Sequence, residues 1–122
     1  MSEHLIQSAI LLRLGSRPDV RLFRNNTAGA WGGEVICRTP TTITLANPYP
    51  IHAGLFKGSA DLIGWRVRYF NAIPFAQFLS CEVKKPGGQV RPEQLLWEAA
   101  VKKAGGIAGI VRSVEEAEGL LI

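Results

Sequence analysis

The sequence predicts an α/β fold, on three observations. Runs 3–14 and 93–104 carry apolar residues at helical spacing and stop at glycines. Runs 20–24, 61–67, 75–84 and 107–111 are strand-like, either alternating or wholly apolar. These two kinds of run interleave along 122 residues, close to the usual domain size of about 100 to 150, so one domain is expected.

Ser2 stands as a cap before Glu3–Leu14, and Gly15 ends that helix. Glu3 and Gln7, four residues apart, share a face of it. Val20–Arg24 alternates apolar and basic residues as a strand, broken by Asn25-Asn26-Thr27-Ala28-Gly29. Glu34–Arg38 and Thr41–Ala46 are read as a small hairpin around Thr39-Pro40. Asn47-Pro48-Tyr49-Pro50 is read as an irregular loop, since proline cannot donate to a ladder and restricts its predecessor.

Asp61–Val67 is the next strand, Arg68–Pro74 a long connection, and Phe75–Lys84 a strand closed by Pro86-Gly87-Gly88. Pro92 suits a first helical position, and Glu93–Ala104 runs on to Gly105-Gly106. Ile107–Val111 is wholly apolar, as in a strand covered on both faces. Ser113-Val114-Glu115-Glu116 matches a capping box that opens a last helix. The order is α-β-(ββ)-β-β-α-β-α.

A hydrophobic fraction of 47% with 20% charged residues is globular composition and excludes disorder. Apolar stretches break well short of the roughly 20 residues that span a bilayer, and residues at the N-terminus lack a signal-peptide pattern. A soluble, cytoplasmic protein with no membrane partner is expected. Cys37 and Cys81 lie in strand-like runs and are expected as reduced core thiols, while His4 and His52 are too scattered to complete a zinc site with them. Net charge is +4, but residues 1–112 hold 14 basic against 7 acidic side chains, because Glu115, Glu116 and Glu118 gather at the end. A basic body suits a polyanionic partner.

The chemistry gathers in Gly58-Ser59-Ala60-Asp61-Leu62-Ile63-Gly64, then Cys81-Glu82-Val83-Lys84-Lys85, then Gln94. If strands 61–67 and 75–84 pair antiparallel, the start of the first lies beside the end of the second, and Asp61 neighbours Glu82. Like charges placed so destabilise a sheet unless a cation lies between them. Side chains alternate, so Glu82 and Lys84 share a face while Val83 points into the core. Two carboxylates and an ammonium suit a hard divalent cation and phosphodiester hydrolysis.

These residues, with a Glu-bearing first helix and Gln94 three residues before Trp97, resemble the PD-(D/E)XK nuclease superfamily. More narrowly, Lys57–Gly64 with Glu82-Val83-Lys84 and Gln94 resembles the stand-alone virus-type replication-repair nuclease (VRR-NUC) domain. Ala60 stands where the superfamily's name places proline. The resemblance implies a restriction-endonuclease-like core, a central mixed sheet flanked by helices, and Mg²⁺- or Mn²⁺-dependent cleavage of branched or flap-bearing DNA. It implies Asp61, Glu82 and the Val83 carbonyl as metal ligands, with Glu3 completing the site directly or through water. Lys84 becomes the catalytic lysine, Gln94 its support from the following helix, and Arg24 a residue near the scissile phosphate.

Lys85, Arg91, Lys102 and Lys103 are read as phosphate contacts or plain solvent-facing charge, and Trp31, Trp65 and Trp97 as packing aromatics. The leading expectation is a Holliday-junction-resolving endonuclease. Two symmetric cuts in a four-way junction call for two sites, hence a homodimer. A flap nuclease, an exonuclease, or a non-catalytic DNA-binding or assembly module stays open beside it.

Overall fold

The computed structural model describes residues 1–27 and 29–122. Chain order is α1 (Glu3–Gly15), β1 (Val20–Arg24), β2 (Gly29–Arg38), β3 (Ile43–His52), β4 (Leu62–Phe70), β5 (Ile73–Val83), α2 (Pro92–Lys103), β6 (Ile107–Val111) and α3 (Val114–Gly119). The architecture is α/β, with one four-stranded mixed sheet in the order β1-β4-β5-β6 and a separate two-stranded ribbon, β2-β3. β1-β4 and β4-β5 pair antiparallel, whereas β5-β6 pair parallel. The parallel pair needs a crossover, and α2 provides it.

α1 and α3 cover one face of the sheet. Ile6, Ile10 and Leu14 of α1 recur at helical spacing and bury against Leu62, Leu79, Cys81, Val83 and Val111. Ser2 caps α1 by accepting from Leu5 N at 3.2 Å, and Arg13 pairs with Glu118 of α3 at 2.6 Å. The capping box of α3 has a wider span than usual. Ser113 Oγ accepts from Glu116 N, while Glu116 Oε2 reaches past the cap to accept from Arg112 N at 2.6 Å. α2 lies on the opposite face, where Trp97 Nε1 donates to Ser80 Oγ at 2.7 Å. A side chain at Gly64 would collide with the Arg21 carbonyl oxygen, so this glycine lets β1 pack against β4.

Several readings of the sequence are corrected. Arg68–Pro74 is not a long connection: β4 and β5 run on to a two-residue turn, Asn71-Ala72, with φ of 48° and 65°. Both values suit a primed hairpin turn, but Asn-Ala lacks the glycine that usually announces one. The hairpin tip also projects past the core, with Tyr69, Phe70 and Ile73 exposed, so no burial rhythm marks it.

The hairpin of 34–46 is likewise longer, and Asn47-Pro48-Tyr49-Pro50 lies inside β3. A two-stranded ribbon leaves one edge of each strand unpaired, where a missing N–H breaks no ladder bond. Asn47 takes φ of 49°, and register shifts between Gly32 and Glu34 and between Val35 and Cys37 absorb the irregularity. Gly29 belongs to β2; residues 25–27 form the break after β1, and Ala28, assigned to that break, lies outside the described residues.

Neither cysteine is in a disulfide, but Cys37 is exposed on the ribbon and only Cys81 is in the core. Among the described residues, no helix is long and apolar enough to cross a membrane.

Candidate active site

The C-terminal end of β5 carries the site because it meets both β4 and the start of α2. Leu62 pairs with Cys81, which brings Asp61, one residue before β4, beside the last residues of β5. Asp61 Oδ2 accepts from Val83 N at 2.9 Å. Glu82 alternates with the fully buried Cys81 and Val83 and faces α2. Lys84 Nζ lies 3.7 Å from Glu82 Oε1, with both side chains below 10% exposed.

Gln94 is placed by the opening of α2. Its Oε1 accepts from Arg91 N at 2.9 Å, satisfying one of the amides left unpaired at a helix start. That fixes the amide plane, and Nε2 donates to Glu82 Oε1 at 2.8 Å. Glu82 Oε1 is thus held by an amide and an ammonium. Oε2 is buried without a hydrogen-bond partner among the described residues.

The electrostatics follow from that asymmetry. Burial, then the charge of Asp61, push the Glu82 carboxyl up to about 8, against a smaller opposing pull from Lys84. Burial alone pushes the Cys81 thiol up to about 12, which makes it inert packing and not a nucleophile.

A buried carboxylate oxygen with no donor, beside a second carboxylate, calls for a proton or a cation. Both acids offer oxygen only, the donor type a hard divalent cation prefers. The residues therefore fit Mg²⁺ or Mn²⁺. Asp61 and Glu82 are the acidic pair at the strand end, and among the described residues no third His, Cys, Asp or Glu side chain gathers with them into a metal-holding group. Glu3 Oε1 instead accepts from Lys85 N at 3.4 Å, tying α1 to the loop after β5.

Arg24 turns toward α1, donating to Gln7 Oε1 and Ser8 Oγ at 2.8 Å each. The side chains of Lys85 and Arg91 stand at the surface beside the site. Lys102 pairs with Glu98 at 2.8 Å, on the solvent side of α2. The three tryptophans divide: Trp97 packs edge-on against Phe56 and Phe78, Trp65 is partly open, and Trp31 is 67% exposed on the ribbon and packs in no core.

Asn25, a strand breaker by its sequence, organises the loop that presents Asp61. Its backbone N donates to Asp61 O at 2.7 Å. Its side-chain Nδ2 donates to Ser59 Oγ and Ala60 O, and its Oδ1 accepts from Leu55 N, all at 2.9 Å. Gly58 completes the loop at φ of 94°, with Glu93 packed where a side chain would stand. The only signal for Asn25 is an Asn-Asn pair after a strand, which turns share. Asn25→Ala leaves Leu55 N and Ala60 O without these partners, and should destabilise the fold by about 2–3 kcal/mol in urea denaturation.

Comparisons with protein-family models, with curated proteins and with solved structures give no match, so the functional reading rests on this geometry.

Proposed function

We propose that this chain is a divalent-metal-dependent endonuclease of the VRR-NUC type within the PD-(D/E)XK superfamily. It hydrolyses phosphodiester bonds in branched DNA, a four-way junction or a flap, as a homodimer. One observation carries the reading: Asp61 and Glu82 converge at a strand end, with Lys84 and Gln94 both aimed at Glu82.

Asp61, Glu82 and the Val83 carbonyl would hold Mg²⁺ or Mn²⁺, which when bound polarises the phosphoryl group and supplies an acidified water. Gln94 fixes the Glu82 carboxylate so that Oε1 is occupied and Oε2 is presented. Lys84, buried and held 3.7 Å from Glu82, offsets negative charge that builds on the phosphate as the bond breaks. Val83 N holds Asp61 Oδ2 and so sets the rotamer of that carboxylate. Exposed Lys85 and Arg91, on a chain of net charge +4, suit contact with flanking phosphates.

The test is cleavage of four-way-junction, flap, nicked and linear DNA with Mg²⁺, Mn²⁺ or EDTA. Cutting is expected with either cation, strongest on branched substrates, and none in EDTA. Metal-independent cutting would overturn the mechanism, and tight binding of branched DNA with no cleavage would leave a DNA-binding module.

A further inference from the structure

The β2-β3 ribbon has two ten-residue strands and not one buried residue. An isolated two-stranded hairpin is at best marginally stable in water, so a ribbon of this length calls for something to cover it. Its open side chains are large and apolar: Trp31 is 67% exposed, Ile36 63%, Ile43 and Tyr49 56% each. On one side Trp31, Val35, Ile43, Leu45 and Pro48 line a shallow concavity of about 670 Å³.

Charge argues against nucleic acid as the cover. Residues 29–56 contain one cation, Arg38, and one carboxylate, Glu34, whereas the chain as a whole is +4. A surface that grips phosphates has clustered Lys and Arg. The ribbon carries no net charge and has no such cluster.

A matching apolar surface lies on the sheet. α1 and α3 cover one face, but α2 covers only the β5-β6 side of the other. The uncovered part is an aromatic strip. Phe23 and Trp65 have ring centroids 5.8 Å apart, and Phe78 leads on to Trp97 and Phe56. Phe23 is 51% and Phe56 67% exposed. A sheet face this apolar is normally buried.

We infer that the ribbon is a dimerisation arm that lies against the open aromatic face of a second copy, whose own arm returns the contact. The exchange is isologous, each copy supplying both halves. Arm and strip bring exposed Trp31, Ile43, Phe23 and Phe56 to the contact from each copy, the large apolar side chains that a standard interface of about 800 Å² per partner is built around. The inference rests on the nuclease reading only for the expectation of two-fold pairing. Cleavage and self-association are read out separately.

The experiment is sedimentation of the full chain, with thiol labelling of Cys37, which is exposed on the arm while Cys81 is buried. The unmodified protein should sediment as a dimer, and Trp31→Asp with Ile43→Asp should raise the dimer dissociation constant about thirtyfold or more. Circular dichroism should show the same fold in both. In the unmodified protein, maleimide labelling of Cys37 should be slow in the dimer and speed up on dilution. A monomer at tens of micromolar, a dimer indifferent to these substitutions, or Cys37 labelling that ignores dilution would overturn the inference. An inactive protein that dimerises through the arm would overturn the nuclease reading alone, and an active monomer would overturn this inference and the homodimer of the proposed function while leaving the cleavage chemistry standing.

Discussion

Glu82→Gln is expected to abolish cleavage yet leave a metal-free protein as stable as the unmodified chain, or more so, at pH 8. The two effects have one cause. Glu82 is 6% exposed, with Oε2 lacking a partner and Asp61 alongside, so its charged form is disfavoured in the fold. Its carboxyl titrates near 4.5 when unfolded and at about 8 when folded. The folded chain therefore keeps a proton that the unfolded chain has released. The stability from this group is complete below pH about 4.5 and is lost as pH rises to about 8.

A neutral amide at this position has no charge to bury, so the Glu82→Gln variant should lack that loss, on the order of 2–4 kcal/mol. Urea unfolding at pH 5.5 and pH 8 without divalent cation reads the difference directly. Mg²⁺ should stabilise the unmodified protein more at pH 8 than at pH 5.5, and the variant at neither. Cleavage should fall about a thousandfold or more, the loss of several kcal/mol of transition-state stabilisation. Equal pH dependence in both proteins would refute the assignment of Glu82 as the strained acid.

Lys84→Ala should lower cleavage by about 10²- to 10³-fold, the usual effect of removing a charge aimed at a developing anion. The ammonium is buried and 3.7 Å from Glu82 Oε1, so no water-exposed lysine nearby can stand in for it. Without it Glu82 is held less firmly in its charged form, and residual activity should shift toward higher pH. Lys85→Ala separates binding from chemistry. Lys85 is exposed and should act on DNA affinity, reducing the salt slope by about one, with little change in the single-turnover rate. Full activity of Lys84→Ala would remove this residue from the mechanism.

The elements with a buried face could be read from the chain. Ile6, Ile10 and Leu14 repeat at helical spacing because one stripe of α1 faces the sheet. β1 has the predicted bounds, and β6 reads as apolar because its residues pack between layers. Where nothing is buried, the pattern was silent or misleading. The ribbon and the β4-β5 tip extend through solvent, so their residues carry no periodic signal, and Pro48 and Pro50 read as breakers of a ladder whose far edge is open.

The site was legible in part for the same reason. Asp61, Glu82 and Lys84 sit where an antiparallel pair must bring strand start beside strand end, and alternation alone separates Glu82 and Lys84 from Val83. Asn25, Gly58 and the Arg91 amide were not legible as parts of it, because each acts through a loop conformation that no periodicity encodes.

By itself the sequence determined the α/β class, the element order and the register that joins the two carboxylates, since these follow from local spacing and from which side chains must leave water. Only the tertiary structure decided that Gln94 grips Glu82 and leaves its second oxygen bare, that Glu3 turns to the Lys85 amide, and that a neutral ribbon and an aromatic sheet face remain uncovered. Those outcomes depend on which distant surfaces meet, and a one-dimensional pattern fixes what each segment wants to bury but not what it finds.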